Sequence, residues 1–231
     1  TIYGYTGYFI YYNDLDCCTR LPHRHFNVWQ KSKLERVGQM AFLQRIKNKP
    51  MQRLAVIDLG TNTFNILIIE VQPDSSYKKL YQTKISVKLG EGGINKGYIA
   101  PIPFKRGIDA MRVYKKTIED FNVSKTIAIA TSAIRDAENG SDFVQEIKQE
   151  LDIDIKVISG DEEAELIYIG VRDAVQMDNN NSLIVDIGGG STEFIIANNS
   201  TIFWKQSFKL GAARLLERIN PSDPITTDEI N

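Results

Sequence analysis

The chain has 231 residues, 42% hydrophobic and 25% charged, a composition ordinary for a globular protein with a packed core. Lys and Arg number 28 against 29 Asp and Glu, so the net charge of −1 offers no chain-wide attraction to nucleic acid or anionic membrane, and a polyanion would need a local site. No apolar run approaches the roughly 18 residues that cross a bilayer, and no secretory leader pattern stands out. Cys17 and Cys18, the only cysteines, are adjacent and cannot staple distant segments, so the expectation is a reducing, cytoplasmic setting.

In chain order, residues 1–50 stand apart. They hold both cysteines, both histidines and a tyrosine-rich opening (Tyr3, Tyr5, Tyr8, Tyr11, Tyr12), with little periodicity. Segment 31–47 can be drawn as one amphipathic helix, with Leu34, Val37, Ala41, Phe42 and Ile46 near one face. Cys17, Cys18, His23 and His25 lack the spacing of a zinc site. Met51 directly precedes the first strong strand pattern, so 1–50 is expected to be an N-terminal extension and the native start to fall at Met51.

Leu54–Asp58 and Phe64–Val71 are apolar, β-branched runs separated by Gly60, Thr61, Asn62 and Thr63, which predicts a hairpin. A third strand is expected over 81–89, broken by the glycine-rich 89–93. Ile108, Met111, Val113, Tyr114, Ile118 and Phe121 recur at helical spacing, predicting a helix over 103–121 with Pro103 in its first turn. Strand 126–130, helix 141–151 and strand 155–158 follow, an alternation that implies a parallel sheet arm. Helix 161–175 opens on Asp161, Glu162 and Glu163, where the helix dipole favours negative charge.

The sequence then begins again. VIDLGTNTFNILII (56–69) and IVDIGGGSTEFIIA (184–197) share an apolar strand, an Asp at its end, a Gly/Ser/Thr turn and a second apolar strand. A strand over 202–210, a helix over 211–219 and a helix start at Thr226 or Thr227 complete the reading. The implied domains are 51–178 and 179–231. Each turn offers backbone N–H groups outside the strand ladder, and Gly188, Gly189 and Gly190 lack the Cβ that would hold a phosphate away from the main chain. Each also carries a carboxylate, Asp58 or Asp186, able to hold hydrated Mg²⁺ beside a bound anion. An Asp-x-Gly turn alone is a common hairpin; two copies in the same strand order speak for a shared role.

AVIDLGTNTFNILI (55–68), KLGEGG (88–93), IAIATSAIRDAENG (127–140), VISGDEEAELIYIGV (157–171) and VDIGGGSTEF (185–194) together resemble, in order, the signatures of the Ppx/GppA family of exopolyphosphatases and guanosine pentaphosphate phosphohydrolases. The resemblance runs from Met51 to the last residue. It implies an α/β fold of the duplicated actin-like, Hsp70 and sugar-kinase type, two ribonuclease H-like domains with a cleft between them, the first complete and the second truncated. It implies Glu163 as the base that orients water, Arg135 as the guanidinium beside the phosphate, and Asp186 and Glu193 as Mg²⁺ ligands with Asp58 in an additional or water-mediated contact. Gly60, Thr61, Asn62, Thr63, Gly188, Gly189, Gly190, Ser191 and Thr192 would contact phosphates.

Each role has a plainer counterpart. First-turn acids usually just satisfy a helix start; Arg135 could pair on the surface with Asp136 or Glu138; Glu193 could be a solvent-facing strand end; and the turn residues could simply form turns. The expected substrate is inorganic polyphosphate, with pppGpp served by the same parts, no nucleic acid or membrane partner, and a homodimer left open. A kinase or ATPase of the same superfold would need an adenosine-binding segment late in the second domain, and a non-catalytic regulatory member would lack the acidic set. Family members continue further, so the second sheet is expected to have unpaired edges and the chain alone to be poorly soluble or weakly active.

Overall fold

The computed structural model describes residues 8–13, 27–29, 52–72, 74, 76–223 and 226. The helix expected at 31–47, the Cys17, Cys18, His23 and His25 set, and the body of the helix expected from Thr226 or Thr227 lie outside the described residues.

Two short strands, β1 (Tyr8–Asn13) and β2 (Asn27–Trp29), precede β3 (Gln52–Leu59), β4 (Thr63–Val71) and β5 (Tyr77–Ser86). Helix α1 (Pro101–Asp120), strand β6 (Lys125–Ala130), the single turn α2 (Ser132–Arg135), helix α3 (Gly140–Leu151) and strand β7 (Ile155–Val157) complete the first sheet and its cover. Its order is β5-β4-β3-β6-β7. The first three strands are antiparallel, and β6 and β7 join in parallel, as the hairpin and the alternating arm predict.

β3 reads as a continuous apolar run because both its faces are buried. Ala55, Ile57 and Leu59 enter a core with Phe64, Ile66 and Ile68 under α1 and α3, through Ile108, Met111, Tyr114, Phe143 and Ile147. The Tyr114 hydroxyl, whose pKa burial pushes upward, donates to Phe64 O at 2.7 Å and so satisfies the one polar atom that this helix carries into the core. Leu54 and Val56 face the other way, with Leu67, Ile69, Val71, Ile129 and Ile158. The third strand lies four residues earlier than expected at its start: Tyr77–Tyr81 pair with Ile68–Val71, whereas the Val87 and Lys88 N–H groups leave the ladder to bond Asn62 O.

Helix α4 (Gly160–Ala174) follows, then β8 (Ser182–Ile187), β9 (Thr192–Ala197), β10 (Ile202–Phe208) and α5 (Ala212–Ile219). The second sheet runs β10-β9-β8-β1-β2. β8-β9-β10 repeat the antiparallel β3-β4-β5. In the first sheet β6 lies parallel on the free side of β3, whereas in the second β1 lies antiparallel on β8, from Tyr8 opposite Ile187 to Asn13 opposite Ser182. The segment ahead of Met51 thus supplies a partner for β8, and the edges of this sheet fall at β10 and β2.

Helix α4 is wedged between the sheets. Leu166 packs on the Leu54/Val56 face of the first, while Ala164, Ile167, Tyr168 and Val171 pack on Ile184, Ile195 and Ala197 of the second. The layers run α1 and α3, first sheet, α4, second sheet. Among the described residues no helix is long and apolar enough to cross a membrane.

Candidate active site

Side chains along a strand alternate between faces, so Asp58 shares the face of Leu54 and Val56, and Asp186 shares that of Ile184. Both faces look onto α4. In register, Asp58 stands opposite Asn65 and Asp186 opposite Glu193, so each hairpin brings a carboxylate and a second polar side chain to the same end of the inter-sheet layer. Asn65 Nδ2 donates to Asp58 Oδ2 at 3.4 Å, and the Ser207 hydroxyl donates to Glu193 Oε1 at 2.8 Å. Glu193 is 0% exposed, which removes the reading of a solvent-facing strand end. Except for Ser182, the buried polar or charged side chains among the described residues (Asp58, Thr61, Thr131, Ser132, Glu163, Asp186, Ser191, Thr192 and Glu193) all belong to this region. Burying polar groups is costly, and their concentration at one place marks a site rather than a core.

The turns are congruent. Gly60 N bonds Thr63 O at 3.2 Å, and Gly188 N bonds Ser191 O at 2.9 Å. They also meet: a Cβ on Gly189 would stand 3.0 Å from Asn62 Nδ2 and Thr61 Cβ, and one on Gly190 would stand 2.5 Å from Ser132 Oγ and 2.6 Å from Thr61 Oγ1. Only glycine allows the second turn this approach to the first. The Thr192 hydroxyl donates to Leu210 O, so its proton is engaged in holding β9 rather than turned toward an anion.

The three acids at the start of α4 do three different things. Glu162 closes a capping box with Ser159, accepting from Ser159 N at 2.9 Å while Ser159 Oγ accepts from Glu162 N. Asp161 is exposed beside Lys205. Glu163 alone turns inward: 2% exposed, it accepts from Arg135 Nη1 at 3.0 Å, and the same nitrogen donates to Ile158 O at 3.1 Å. A carboxylate this deeply buried requires a counter-charge, and Arg135 supplies it, so Arg135 is not a surface pair with Glu138. Its approach to Asp136 is longer, at 3.9 Å.

Glu162 also has a pH signature. Lys156 Nζ, 2.7 Å away, and the Ser159 N–H bring its carboxyl from 4.5 to about 2. A pKa lowered on folding stabilises the protein above the unfolded value and is lost as pH falls through the folded one. Glu162→Gln, which keeps the capping bond and loses the charge, is therefore expected to be slightly less stable than the parent near neutral pH. Denaturant unfolding should show the gap closing between pH 4.5 and about 2; a gap constant across that range would contradict it.

Sequence reasoning missed what holds the turns. Thr61 O accepts from Gly90 N, and Asn62 O from Val87 N and Lys88 N. Gly188 O accepts from Ala212 N, and Gly189 O from Ala213 N and Arg214 N. In both lobes the turn's carbonyls are drawn back by the segment that follows the third strand, an arrangement suited to presenting N–H groups to an anion. A signal was present: Lys-Leu-Gly recurs at 88–90 and 209–211, once behind each turn. The short helix α2, which carries Arg135, was also unforeseen.

Among the described residues no three His, Cys, Asp or Glu side chains group closely enough to hold a metal, so Asp58, Asp186 and Glu193 are not one three-carboxylate cluster. Asp186 and Glu193 are a cross-strand pair, and Asp58 occupies the equivalent place in the other hairpin. Two carboxylates completed by water and substrate oxygens are an ordinary Mg²⁺ donor set, so the residues present fit that ion.

The family model of the Ppx/GppA phosphatase family matches residues 67–231. The chain is 44% identical to an exopolyphosphatase from Cytophaga hutchinsonii of known crystal structure, with a TM-score of 0.74 over 77% of this chain and 57% of that one. It is 36% identical over 171 residues to a bifunctional 3-dehydroquinate synthase/phosphatase of Fusobacterium nucleatum, covering 71% of this chain and 26% of that protein. It is 31% identical over 182 residues to a guanosine-5′-triphosphate,3′-diphosphate pyrophosphatase of Pseudoalteromonas atlantica, covering 79% of this chain and 36% of that protein. The chain thus spans roughly a quarter to a third of these two curated relatives.

Proposed function

Because the chain belongs to the Ppx/GppA phosphatase family, we propose that the protein hydrolyses the terminal phosphoanhydride bond of a linear phosphate chain, with inorganic polyphosphate as the substrate. The observation that carries this reading is the meeting of two congruent turns, each with a buried carboxylate behind it, beside the buried Glu163 and its half-buried partner Arg135. The 44% identity to an exopolyphosphatase favours polyphosphate, and the likeness to a guanosine-5′-triphosphate,3′-diphosphate pyrophosphatase makes pppGpp the second substrate to try.

In the proposed reaction the turns Gly60–Thr63 and Gly188–Ser191 hold the phosphate chain from both lobes, through N–H groups other than those of Gly60 and Gly188, which close the turns on Thr63 O and Ser191 O. Glu163 orients a water and takes its proton as the water oxygen bonds to the terminal phosphorus. The bond from that phosphorus to the bridging oxygen breaks, releasing orthophosphate and a chain one unit shorter. Arg135 offers planar donors to phosphate oxygens on which charge accumulates. Asp186 and Glu193, with Asp58 through water, would hold Mg²⁺, which when bound neutralises phosphate oxygens. Removing divalent cations from the full-length protein should abolish phosphate release from both substrates, with recovery on adding Mg²⁺. Full activity in chelator would count against these ligand assignments.

A further inference from the structure

Arg214, the third residue of α5, is 11% exposed and joins four groups. Its Nε donates to Gly190 O at 2.6 Å, Nη1 to Ile94 O at 2.8 Å, and Nη2 to Asp136 Oδ2 at 2.6 Å and Ser132 Oγ at 3.4 Å. Gly190 lies on the second turn; Ile94, Ser132 and Asp136 belong to the first lobe. Asp136, itself 12% exposed, is the residue after Arg135 and also meets Lys209 Nζ at 3.1 Å. One guanidinium therefore links the second turn to the short helix that bears the partner of Glu163.

Consecutive carbonyls of the second turn all accept from residues of α5. Gly188 O and Gly189 O go to the first N–H groups of α5, and Gly190 O goes to the Arg214 side chain. An anion is repelled by carbonyl oxygens and held by N–H groups, so the direction in which these peptides lie decides whether the turn binds phosphate. Building on the hydrolase reading above, we propose that Arg214 is a positioning residue for substrate: it holds the Gly188–Gly190 peptides with their oxygens away from the phosphate chain and fixes that turn against Arg135 and Glu163. Lysine cannot do this, because a single ammonium cannot reach Gly190 O, Ile94 O and Asp136 in the plane a guanidinium spans.

The test is calorimetric binding of tripolyphosphate with Mg²⁺ to the full-length protein carrying E163Q, with and without R214K, alongside kcat and KM in the Glu163 background. The expected result is a loss of affinity of about tenfold or more and a matching rise in KM, with kcat falling by a smaller factor, the magnitude of a lost charge-assisted contact. A purely structural role would lower the unfolding midpoint and leave the affinity of the folded fraction within twofold of the parent, which overturns the proposal. Should R214K not fold, D136N, which removes the counter-charge and spares the bond to Gly190, is expected to weaken binding severalfold, and unchanged binding overturns the proposal. A Glu163 parent that binds tripolyphosphate but releases no phosphate counts against the hydrolase reading alone. A parent that does not bind it overturns both.

Discussion

Glu163→Gln is expected to slow phosphate release by about 10²–10⁴-fold, the range for removing a positioned general base, with polyphosphate and pppGpp alike. Glutamine fills the same volume and can still accept from Arg135 Nη1, which reaches Glu163 Oε2 at 3.0 Å, so the fold and the first turn of α4 stay in place. What disappears is the capacity to take a proton. The capping of α4 is unaffected, because Ser159 and Glu162 perform it. KM should therefore move much less than kcat, since the turns and not Glu163 are proposed to hold the phosphate chain. Equal losses on the two substrates place both reactions in one site. A variant with parental kcat on either substrate would remove Glu163 from the chemistry of that substrate.

This separation of Glu163 from its neighbours was only partly legible in the sequence. Asp161, Glu162 and Glu163 share the first helical turn, and composition assigns all three to the helix dipole. What distinguishes them is the helix's orientation between two sheets, which presents Glu163 to Arg135 and leaves Glu162 to Ser159 and Lys156. The hairpins were legible because strand, Asp, turn and strand recur locally. The facing of Asp58 and Asp186 onto one layer follows from parity with Val56 and Ile184 once the buried faces are known. β1 on β8 was not legible, since strands some 170 residues apart carry no local mark of their pairing. Arg214 and Asp136, 78 residues apart, were hidden for the same reason. A four-residue helix such as α2 is too short for periodicity to register.

Gly190→Ala should cost more than any other single methyl in the turns. The added Cβ would stand 2.5 Å from Ser132 Oγ and 2.6 Å from Thr61 Oγ1. Neither neighbour can yield easily: Ser132 is 1% and Thr61 4% exposed, and Ser132 Oγ is bonded to Asp136 and Arg214. Relief requires the turns to separate by several tenths of an ångström to an ångström, at a stability cost of about 1–3 kcal/mol for an overpacked site. A displacement of about 1 Å between groups that must act together lowers reaction rate by about 10²-fold, so kcat/KM should fall by that order in the folded fraction. Gly189→Ala supplies the internal scale. Its Cβ would meet Asn62 Nδ2 and Thr61 Cβ at 3.0 Å, a milder encroachment. Thermal unfolding and kcat/KM measured on both variants should rank Gly190→Ala below Gly189→Ala in each. If Gly190→Ala matched the parent in kcat/KM, the turns would not need to touch during turnover, and a site shared between the two lobes would lose its geometric basis.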